Sequence, residues 1–465
     1  MLKAVRLSPE DVAEIFPECP IKLRLIQADM TQDPEKKELL TVVIDALAYG
    51  GAGVGRSEGR AVFVPYTVPG DVVSCRVLRS KPRMLWAESE KLLAGAPERV
   101  PPPCPLFGVC GGCHWQHLSY ESQLAWKERL FADMLTRHAK VPENVFVPIV
   151  PSPNPFGYRQ RMQFKCHAAP SGLCIGFYRG QSHFVVDAPQ CLLAAPAINE
   201  ALALLRTRLA DFAQANRIPQ IDISCDEEGS LRVTAHFLAE DSAALERHLK
   251  PLALEHGWGL FVQCGRNETR HHVCGPSALA IRPLEDAHPL RLVYPAGSFA
   301  QINAAQNRRL VAELLEESSL CGGETVLDLF CGVGNLTLPL ALRARRVVGV
   351  EGVGPAVAAA RDNARANSIT NAEFVAADAN GAFPLNVPKV DVAVLDPPRE
   401  GAAGAVKHLL ELRPERICYV SCDPSTLARD LVPLQHGGYE VVRARAFDFF
   451  PQTFHIEGLV TLRRI

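Results

Sequence analysis

The feature of this sequence that most constrains its fold is a regular alternation of strand-like and helix-like runs in its last third. The strand-like runs are 325–329, 346–350, 391–395, 417–420 and 440–446, and the helix-like runs are 336–343, 356–367 and 406–412. Strands that alternate with helices form parallel sheets that carry helices on both faces. The sequence therefore predicts a doubly wound α/β domain over residues 291–465.

The rest of the chain is long enough for further domains, because 465 residues exceed what one ordinary core accommodates. Residues 1–37 end in a polar stretch and are interpreted as an extension with a linker. Over 38–95, short β-branched runs alternate with glycine turns, which predicts a small β-barrel. Six basic residues give this barrel a positively charged side: Arg56, Arg60, Arg76, Arg79, Lys81 and Arg83.

The central region, 96–290, mixes strand-like and helix-like pieces and is predicted to be an α+β domain. It begins with a proline-rich boundary that leads into a cluster of cysteines. A helical segment at about 118–148 is expected to pack on the C-terminal domain.

Composition excludes several classes of protein. The net charge of −2 gives no nucleic-acid signal for the whole chain, so any RNA binding must come from local basic faces. No apolar run approaches the ~20 residues of a membrane span, and the N-terminus lacks the apolar core of a signal peptide. We therefore expect a cytoplasmic monomer with reduced thiols and no membrane contact.

A glycine turn follows the first strand of the C-terminal domain, in the run Asp328-Leu329-Phe330-Cys331-Gly332-Val333-Gly334. Such a turn lets the backbone approach a ligand, and Glu351, about 20 residues on, is placed to accept hydrogen bonds from a ribose. Dinucleotide dehydrogenases share this arrangement, although Thr337 replaces the third glycine of their fingerprint. Asp378, further along, either contacts an adenine or caps a helix.

Two residues at strand ends carry the predicted chemistry. Cys422 follows the strand 417–420, and Asp396 follows the strand 391–395 and precedes two rigid prolines. Sheets of this type bind ligands at the carboxyl ends of their strands. With Glu457 as a base, a thiolate can add to C6 of uracil, C5 can take a methyl group, and the C5 proton can be removed. This chemistry predicts a depressed pKa for the Cys422 thiol.

The fifteen cysteines include a C-x5-C-x2-C run, formed by Cys104, Cys110 and Cys113, which indicates a metal centre. The fourth ligand is left open between Cys166, Cys174 and Cys191. A four-thiolate zinc site and an iron–sulfur cluster both remain possible. His114, Trp115 and His117 follow directly, either to stack on bases or to pack at the start of a helix.

Four motifs in order resemble those of the RNA uracil-5-methyltransferase family. They are Phe299-Ala300-Gln301-Ile302-Asn303, Asp396-Pro397-Pro398-Arg399, Ser421-Cys422-x-Pro424 and Thr453-x-His455-x-Glu457. The resemblance implies a Rossmann-like domain that binds S-adenosylmethionine, and a TRAM-type, OB-like RNA-binding barrel. It implies cofactor contacts from Gln301, Phe330, Asn335, Glu351, Asp378 and Asp396.

The resemblance also implies Cys422 as nucleophile, Glu457 as base and a four-iron four-sulfur cluster whose fourth ligand is Cys191. The barrel and the cysteine run together resemble the branch of the family that methylates large-subunit ribosomal RNA. One departure is Asp423, where the family usually has asparagine, and its charge is expected to raise the thiol pKa. Three alternatives stay open: a transfer-RNA enzyme, a dinucleotide oxidoreductase with an iron–sulfur centre, and a non-catalytic RNA-binding protein.

Overall fold

The computed structural model describes residues 39–169, 172–265, 269–285, 290–381 and 389–465. The predicted extension at 1–37 lies outside the described residues. Within these ranges the strands form a closed barrel, a seven-stranded sheet, a two-stranded hairpin and an eight-stranded sheet. No helix in the described ranges is long and apolar enough to cross a membrane.

The first five strands close into a barrel, which confirms the prediction for this region. They are β1 (Leu39–Leu47), β2 (Gly53–Ser57), β3 (Arg60–Val64), β4 (Val72–Lys81) and β5 (Met84–Ala94). Hydrogen bonds join them in the order β1-β2-β3-β5-β4. Alternate side chains, among them Val42, Val62 and Leu85, point inward and fill the barrel centre.

The predicted basic side of the barrel divides into paired and exposed charges. Arg76 forms ion pairs with Glu88 and Glu90, at 3.2 and 2.7 Å. By contrast, Arg79 and Lys81 lie over the ring of Trp86, 5.1 and 5.5 Å from its centroid. The positive charge therefore concentrates on the hairpin between β4 and β5.

The predicted helix near residue 120 is helix α1 (Tyr120–Ala139). The Ser119 side chain caps its start by accepting a hydrogen bond from the backbone N–H of Ser122, and Lys140 ends it in the left-handed conformation. A 3-10 turn (Glu143–Val145) and strand β6 (Phe146–Val150) follow. Strand β6 joins the edge of the eight-stranded sheet, so this segment belongs structurally with the C-terminal part of the chain.

The central region forms the seven-stranded sheet, in the order β13-β12-β11-β10-β7-β8-β9. Its strands are β7 (Arg161–Ala169), β8 (Gly172–Tyr178), β9 (Val185–Asp187), β10 (Gln220–Cys225), β11 (Leu231–Phe237), β12 (Gly259–Cys264) and β13 (His271–Cys274). Helices α2 (Pro196–Ala210) and α3 (Ala243–Glu255) pack on one face, and a 3-10 turn (Ala215–Arg217) joins α2 to β10.

The C-terminal part begins with a hairpin and continues into the predicted alternation of strands and helices. The elements are β14 (Ala278–Ile281), β15 (Leu292–Pro295), α4 (Ala304–Glu317), β16 (Thr325–Leu329), α5 (Thr337–Ala341), β17 (Arg346–Glu351), α6 (Gly354–Ala366), β18 (Ala372–Ala376), β19 (Val392–Leu395), α7 (Ala403–Leu412), β20 (Arg416–Ser421), α8 (Pro424–His436), β21 (Tyr439–Phe447) and β22 (Glu457–Arg464). The sheet order is β18-β17-β16-β19-β20-β22-β21-β6.

Five strands of this sheet, β16 to β20, are parallel, which confirms the doubly wound α/β fold. The far side differs from a purely parallel sheet, because β22 runs antiparallel between β20 and β21. Strands β6, β18 and β22 were not predicted. The insertion of β22 matters most, since it brings the last strand of the chain beside the end of β20.

A buried ion pair joins helix α1 to the segment between β21 and β22. The side chains of Lys127 and Asp448 are both 0% exposed, and their Nζ and Oδ1 atoms are 2.6 Å apart. The Lys127 ammonium also donates to the backbone oxygen of Phe450 at 3.0 Å. Because an unpaired buried charge is costly, this pair fixes the helix against the segment.

Replacing Lys127 with methionine is expected to lower the free energy of unfolding by about 3–5 kcal/mol, because the Asp448 carboxylate would be left buried without a partner. Urea denaturation followed by circular dichroism measures the loss. The matched control is Arg137→Ala on the same helix, which removes the exposed pair with Asp133 and should cost less than about 1 kcal/mol. Equal losses in the two variants would contradict this role for Lys127.

Candidate active site

The predicted nucleophile, Cys422, lies half-buried between the end of β20 and the start of α8. The helix begins at once because Asp423 caps it, and the Asp423 carboxylate accepts hydrogen bonds from the backbone N–H groups of Ser425 and Thr426 at 2.8 and 3.1 Å. Pro424 in the first helical turn needs no hydrogen-bond partner. This sequence of strand, cysteine and capped helix fixes the thiol at the carboxyl edge of the sheet.

The electrostatic surroundings of Cys422 differ from the prediction of a depressed pKa. Burial, then the carboxylates of Glu457 and Asp396, raise the pKa of the thiol to about 12, while Arg399 opposes them. The residue that we expected to raise this pKa, Asp423, directs its carboxylate to the helix start instead. The protein alone therefore stabilises the neutral thiol, and Arg399 favours the thiolate.

The predicted base, Glu457, is the first residue of β22 and is only 2% exposed. Residues Ser421 and Gly458 are paired across β20 and β22, so Cys422 and Glu457 occupy the next opposing positions. Burial, then the Asp396 carboxylate, hold the pKa of Glu457 well above its usual range. Its Oε1 atom has no hydrogen-bond partner among the described residues. A buried carboxylate of this kind is a strong base once it is ionised.

Asp396 completes this group at the end of the neighbouring strand, β19. Gln301 donates a long hydrogen bond of 3.4 Å to its carboxylate. Burial raises the pKa of Asp396 to about 6, and the Gln301 hydrogen bond opposes that shift. The structure thus brings together Cys422, Glu457, Asp396 and Gln301, which the sequence had separated by up to 156 positions.

The predicted cofactor residues lie around the turn after β16. Phe330 takes a left-handed conformation with φ of 65°, which is unusual for a residue other than glycine and typical of functional sites. The Glu351 carboxylate accepts hydrogen bonds from the backbone N–H groups of Gly332 and Val353, at 3.0 and 2.7 Å. It is therefore held at the edge of the turn, as expected for a ribose-binding acid.

Two other cofactor candidates are held by side-chain and backbone contacts. The amide of Asn335 exchanges two hydrogen bonds of 2.9 Å with the amide of Asn307, a residue that the sequence did not single out. The Asp378 carboxylate accepts from the backbone N–H of Asn380 at 2.9 Å within a turn. No helix begins at Asp378, so the alternative role as a helix cap is wrong.

The barrel reaches this site through the turn between β1 and β2. The hydroxyl of Tyr49 donates to the Asp423 carboxylate at 3.2 Å, and its ring meets the edge of Phe454 with centroids 5.7 Å apart. Sequence reasoning missed Tyr49, because 374 positions separate it from Asp423. No local pattern signals such a contact.

Four cysteines line one cavity of about 410 Å³: Cys104, Cys110, Cys113 and Cys191. Of the three candidates for a fourth ligand, Cys166 and Cys174 lie on the neighbouring strands β7 and β8 and do not line this cavity. Among the described residues, no three His, Cys, Asp or Glu side chains are close enough to hold a single metal ion. The four thiols therefore face one shared cavity.

The aromatic residues after the cysteines pack inside the protein. Trp115 is 0% exposed, and its indole N–H donates to the backbone oxygen of Gly51 at 3.0 Å. His117 is 1% exposed and contacts the ring of Phe107. Packing, rather than stacking on bases, is therefore the role of Trp115 and His117.

Known protein families and curated relatives match this chain over nearly its whole length. The family model described as tRNA (uracil-5-)-methyltransferase matches residues 119–465, and the TRAM domain model matches residues 36–89. A 23S rRNA (uracil(1939)-C(5))-methyltransferase of Azoarcus sp. is 37% identical over 435 residues, which cover 91% of this chain and 99% of that protein. The same-named protein of Salmonella typhimurium is 35% identical and covers 92% and 97%.

A solved structure agrees with these matches. The tRNA (uracil-54, C5)-methyltransferase of Pyrococcus abyssi, in complex with S-adenosyl-L-homocysteine, superposes with a TM-score of 0.70 at 26% sequence identity. The match covers 91% of this chain and 100% of that one. The likeness extends through the barrel, the central region and the C-terminal domain.

Arg399→Gln is expected to slow alkylation of Cys422 by iodoacetamide about 3- to 10-fold at a fixed, mildly alkaline pH, without RNA. Removing the guanidinium that lowers the thiol pKa leaves a smaller thiolate fraction. Peptide mass spectrometry measures the rate, and the exposed Cys321 of the same chain is the internal control. An unchanged or faster rate at Cys422 would show that Arg399 does not favour the thiolate.

Proposed function

This chain belongs to the tRNA (uracil-5-)-methyltransferase family, and we propose that it methylates carbon 5 of a uridine in large-subunit ribosomal RNA. The methyl donor of this methyltransferase is S-adenosylmethionine. The observation that carries the proposal is that Cys422 and Glu457 lie one position beyond the Ser421–Gly458 pair of two adjacent strands, where the carboxylates of Glu457 and Asp396 act on the thiol. Family membership decides against the dinucleotide oxidoreductase, and an intact thiol and carboxylate pair argues against a non-catalytic protein.

The choice of ribosomal RNA rests on the relatives. The relatives that match at 34–37% identity are named as 23S rRNA enzymes, whereas the solved transfer-RNA enzyme is 26% identical. Both kinds of protein match along nearly the entire chain, so a transfer-RNA substrate is the second candidate. The TRAM barrel, with Arg79 and Lys81 exposed on one hairpin, supplies a basic surface for either RNA.

In the proposed reaction the Cys422 sulfur adds to C6 of the uracil, and the thiol proton leaves to solvent or to a neighbouring carboxylate. This addition makes C5 nucleophilic, so that C5 forms a bond to the methyl carbon of S-adenosylmethionine while the methyl–sulfur bond breaks and its electron pair stays on the sulfur, which leaves S-adenosylhomocysteine. Because the pKa of the free thiol is about 12, attack is expected to await RNA binding. Arg399 is the residue that favours the thiolate.

The Glu457 carboxylate then removes the proton from C5, and the electrons of that C–H bond expel the Cys422 sulfur. The raised pKa of Glu457, caused by burial and by Asp396, suits a group that must take a proton from carbon. Carbon 5 is inaccessible within a stacked helix, so the target uridine must be flipped out or lie in a loop.

The residues around the glycine turn fit a nucleoside cofactor. We propose that Glu351 receives the ribose hydroxyls, Asp378 the adenine amino group, and Phe330 and Asn335 the surrounding surface. Gln301 and Asp396, which are hydrogen-bonded to each other, would lie nearest the reacting methyl group.

For the four cysteines we propose a four-iron four-sulfur cluster held by Cys104, Cys110, Cys113 and Cys191. Four cysteines on the wall of one cavity supply the four thiolates that such a cluster needs. Four-thiolate zinc is the alternative, because it uses the same ligands. Its position outside the catalytic group suggests a structural role.

The predicted domain boundaries, the cytoplasmic location and the monomeric state remain part of this proposal. The cytoplasmic location follows from the proposed ribosomal RNA substrate.

The reaction is tested by incubating the protein and S-adenosylmethionine with unmodified ribosomal or transfer RNA, followed by nucleoside mass spectrometry. We expect 5-methyluridine in ribosomal RNA alone, and none with Cys422→Ala, whose affinity for RNA should be unchanged. Product only in transfer RNA would overturn the substrate and keep the reaction. Methylation by Cys422→Ala would overturn the mechanism.

The metal centre is tested by analysing anaerobically purified protein, which should contain about four iron atoms and about four acid-labile sulfides per chain. Cys191→Ser is expected to lose most of both, whereas Cys174→Ser, with its cysteine outside the cavity, should keep them. One zinc ion without sulfide would contradict the cluster.

A further inference from the structure

The segment between β21 and β22, residues 448–456, leads directly into Glu457 and is held by residues from before position 160. Lys127 bonds to Asp448 and to the Phe450 oxygen, and the hydroxyl of Tyr158 donates to the Pro451 oxygen at 3.1 Å. Residues far earlier in the chain thus fix the segment.

The two residues directly after the cysteine run contact the segment at Gln452. The backbone N–H groups of His114 and Trp115, directly after Cys113, both donate to the backbone oxygen of Gln452, at 2.9 and 3.1 Å. Gln452 has a φ of 69°, a left-handed conformation that a residue other than glycine keeps only when its surroundings impose it. Gln123 adds two reciprocal hydrogen bonds to Gln452, at 3.0 and 2.9 Å.

A series of ring contacts continues from His114 toward Glu457. The His114 ring meets the edge of Phe454 with centroids 4.7 Å apart, and Phe454 lies 4.3 Å from the ring of His455. Tyr49 contacts Phe454 as well. The ring of Phe454, three residues before Glu457, is therefore held between the cysteine run and the barrel.

Glu457 depends on its backbone for its position. Its Oε1 atom has no hydrogen-bond partner within the described residues, so no bond at that atom orients the carboxylate. An error of about 1 Å in the position of a catalytic group can cost ~100-fold in rate. The ladder with β20 and β21 fixes the backbone of Glu457, and the contacts that hold residues 452–456 fix the chain that leads into it.

We propose that His114 is a positioning residue for proton abstraction, and that it acts through Phe454 on Glu457. This inference rests on the proposed function, in which Glu457 is the base. It gives the residues directly after Cys113 a role in the reaction, because His114 holds the base-bearing segment, whereas Cys422, between β20 and α8, is held by the end of the strand and by the helix that Asp423 caps. Loss of the His114 ring should therefore impair the last step and spare thiol addition.

The test is a single-turnover reaction on in vitro transcribed large-subunit ribosomal RNA, with the covalent RNA–protein adduct followed on denaturing gels. His114→Ala should form adduct at the wild-type rate within about twofold and release it about tenfold more slowly. The Glu457→Gln variant lacks the base and shows how much adduct accumulates when its release is fully blocked. Phe454→Leu should reproduce the slow release, and adding His114→Ala to it should slow release no further.

The matched control is His117→Ala, a buried histidine three positions further on whose ring contacts Tyr66 and Phe107, and it should release adduct at the wild-type rate. Slow formation as well as slow release in His114→Ala, weaker RNA binding, or the same accumulation in His117→Ala would overturn the inference. If the wild-type protein makes no 5-methyluridine, or Glu457→Gln forms no adduct, the proposed function itself fails.

Discussion

The structure depends on one backbone ladder, the antiparallel pairing of β22 with β20. Without it, Glu457 would lie at the end of the chain with no relation to Cys422. The pairing of Ser421 with Gly458 brings the thiol and the carboxylate to the same edge of the sheet. Because every parallel strand to the other side ends at that edge, Asp396 and the glycine turn also reach it. The antiparallel direction of β22 thus places the proposed nucleophile and base beside the proposed methyl-donor site.

The ladder has an electrostatic consequence. Burial, then the carboxylates of Glu457 and Asp396, hold the pKa of the Cys422 thiol high, and Arg399 opposes them. In the proposed reaction the thiolate therefore has to be stabilised before attack, and the Arg399 guanidinium is placed to contribute to this.

The sequence predicted those parts of the fold that depend on local patterns. Buried parallel strands read as continuous apolar runs, so β16, β17, β19 and β20 were found within one or two residues. Strand β22 carries a local apolar run, but its antiparallel place between β20 and β21 has no local signal. Tyr49 was missed because its partner lies in another domain. The depressed pKa expected for the catalytic thiol was wrong, and the rise comes from burial, Glu457 and Asp396, which only the folded sheet assembles.

Strand β6 has a consequence for how such chains can change over evolution. It comes from residues 146–150 yet pairs with β21 and covers the edge of the eight-stranded sheet. Helix α1 likewise supplies Phe131, which lies where any side chain at position 458 would project. The eight-stranded sheet is therefore built from two separate stretches of the chain. A recombination event between β6 and β14 would separate β6 from β21 and leave β21 as an open edge prone to aggregation. The barrel, by contrast, is a separate sheet and contributes no strand to this unit.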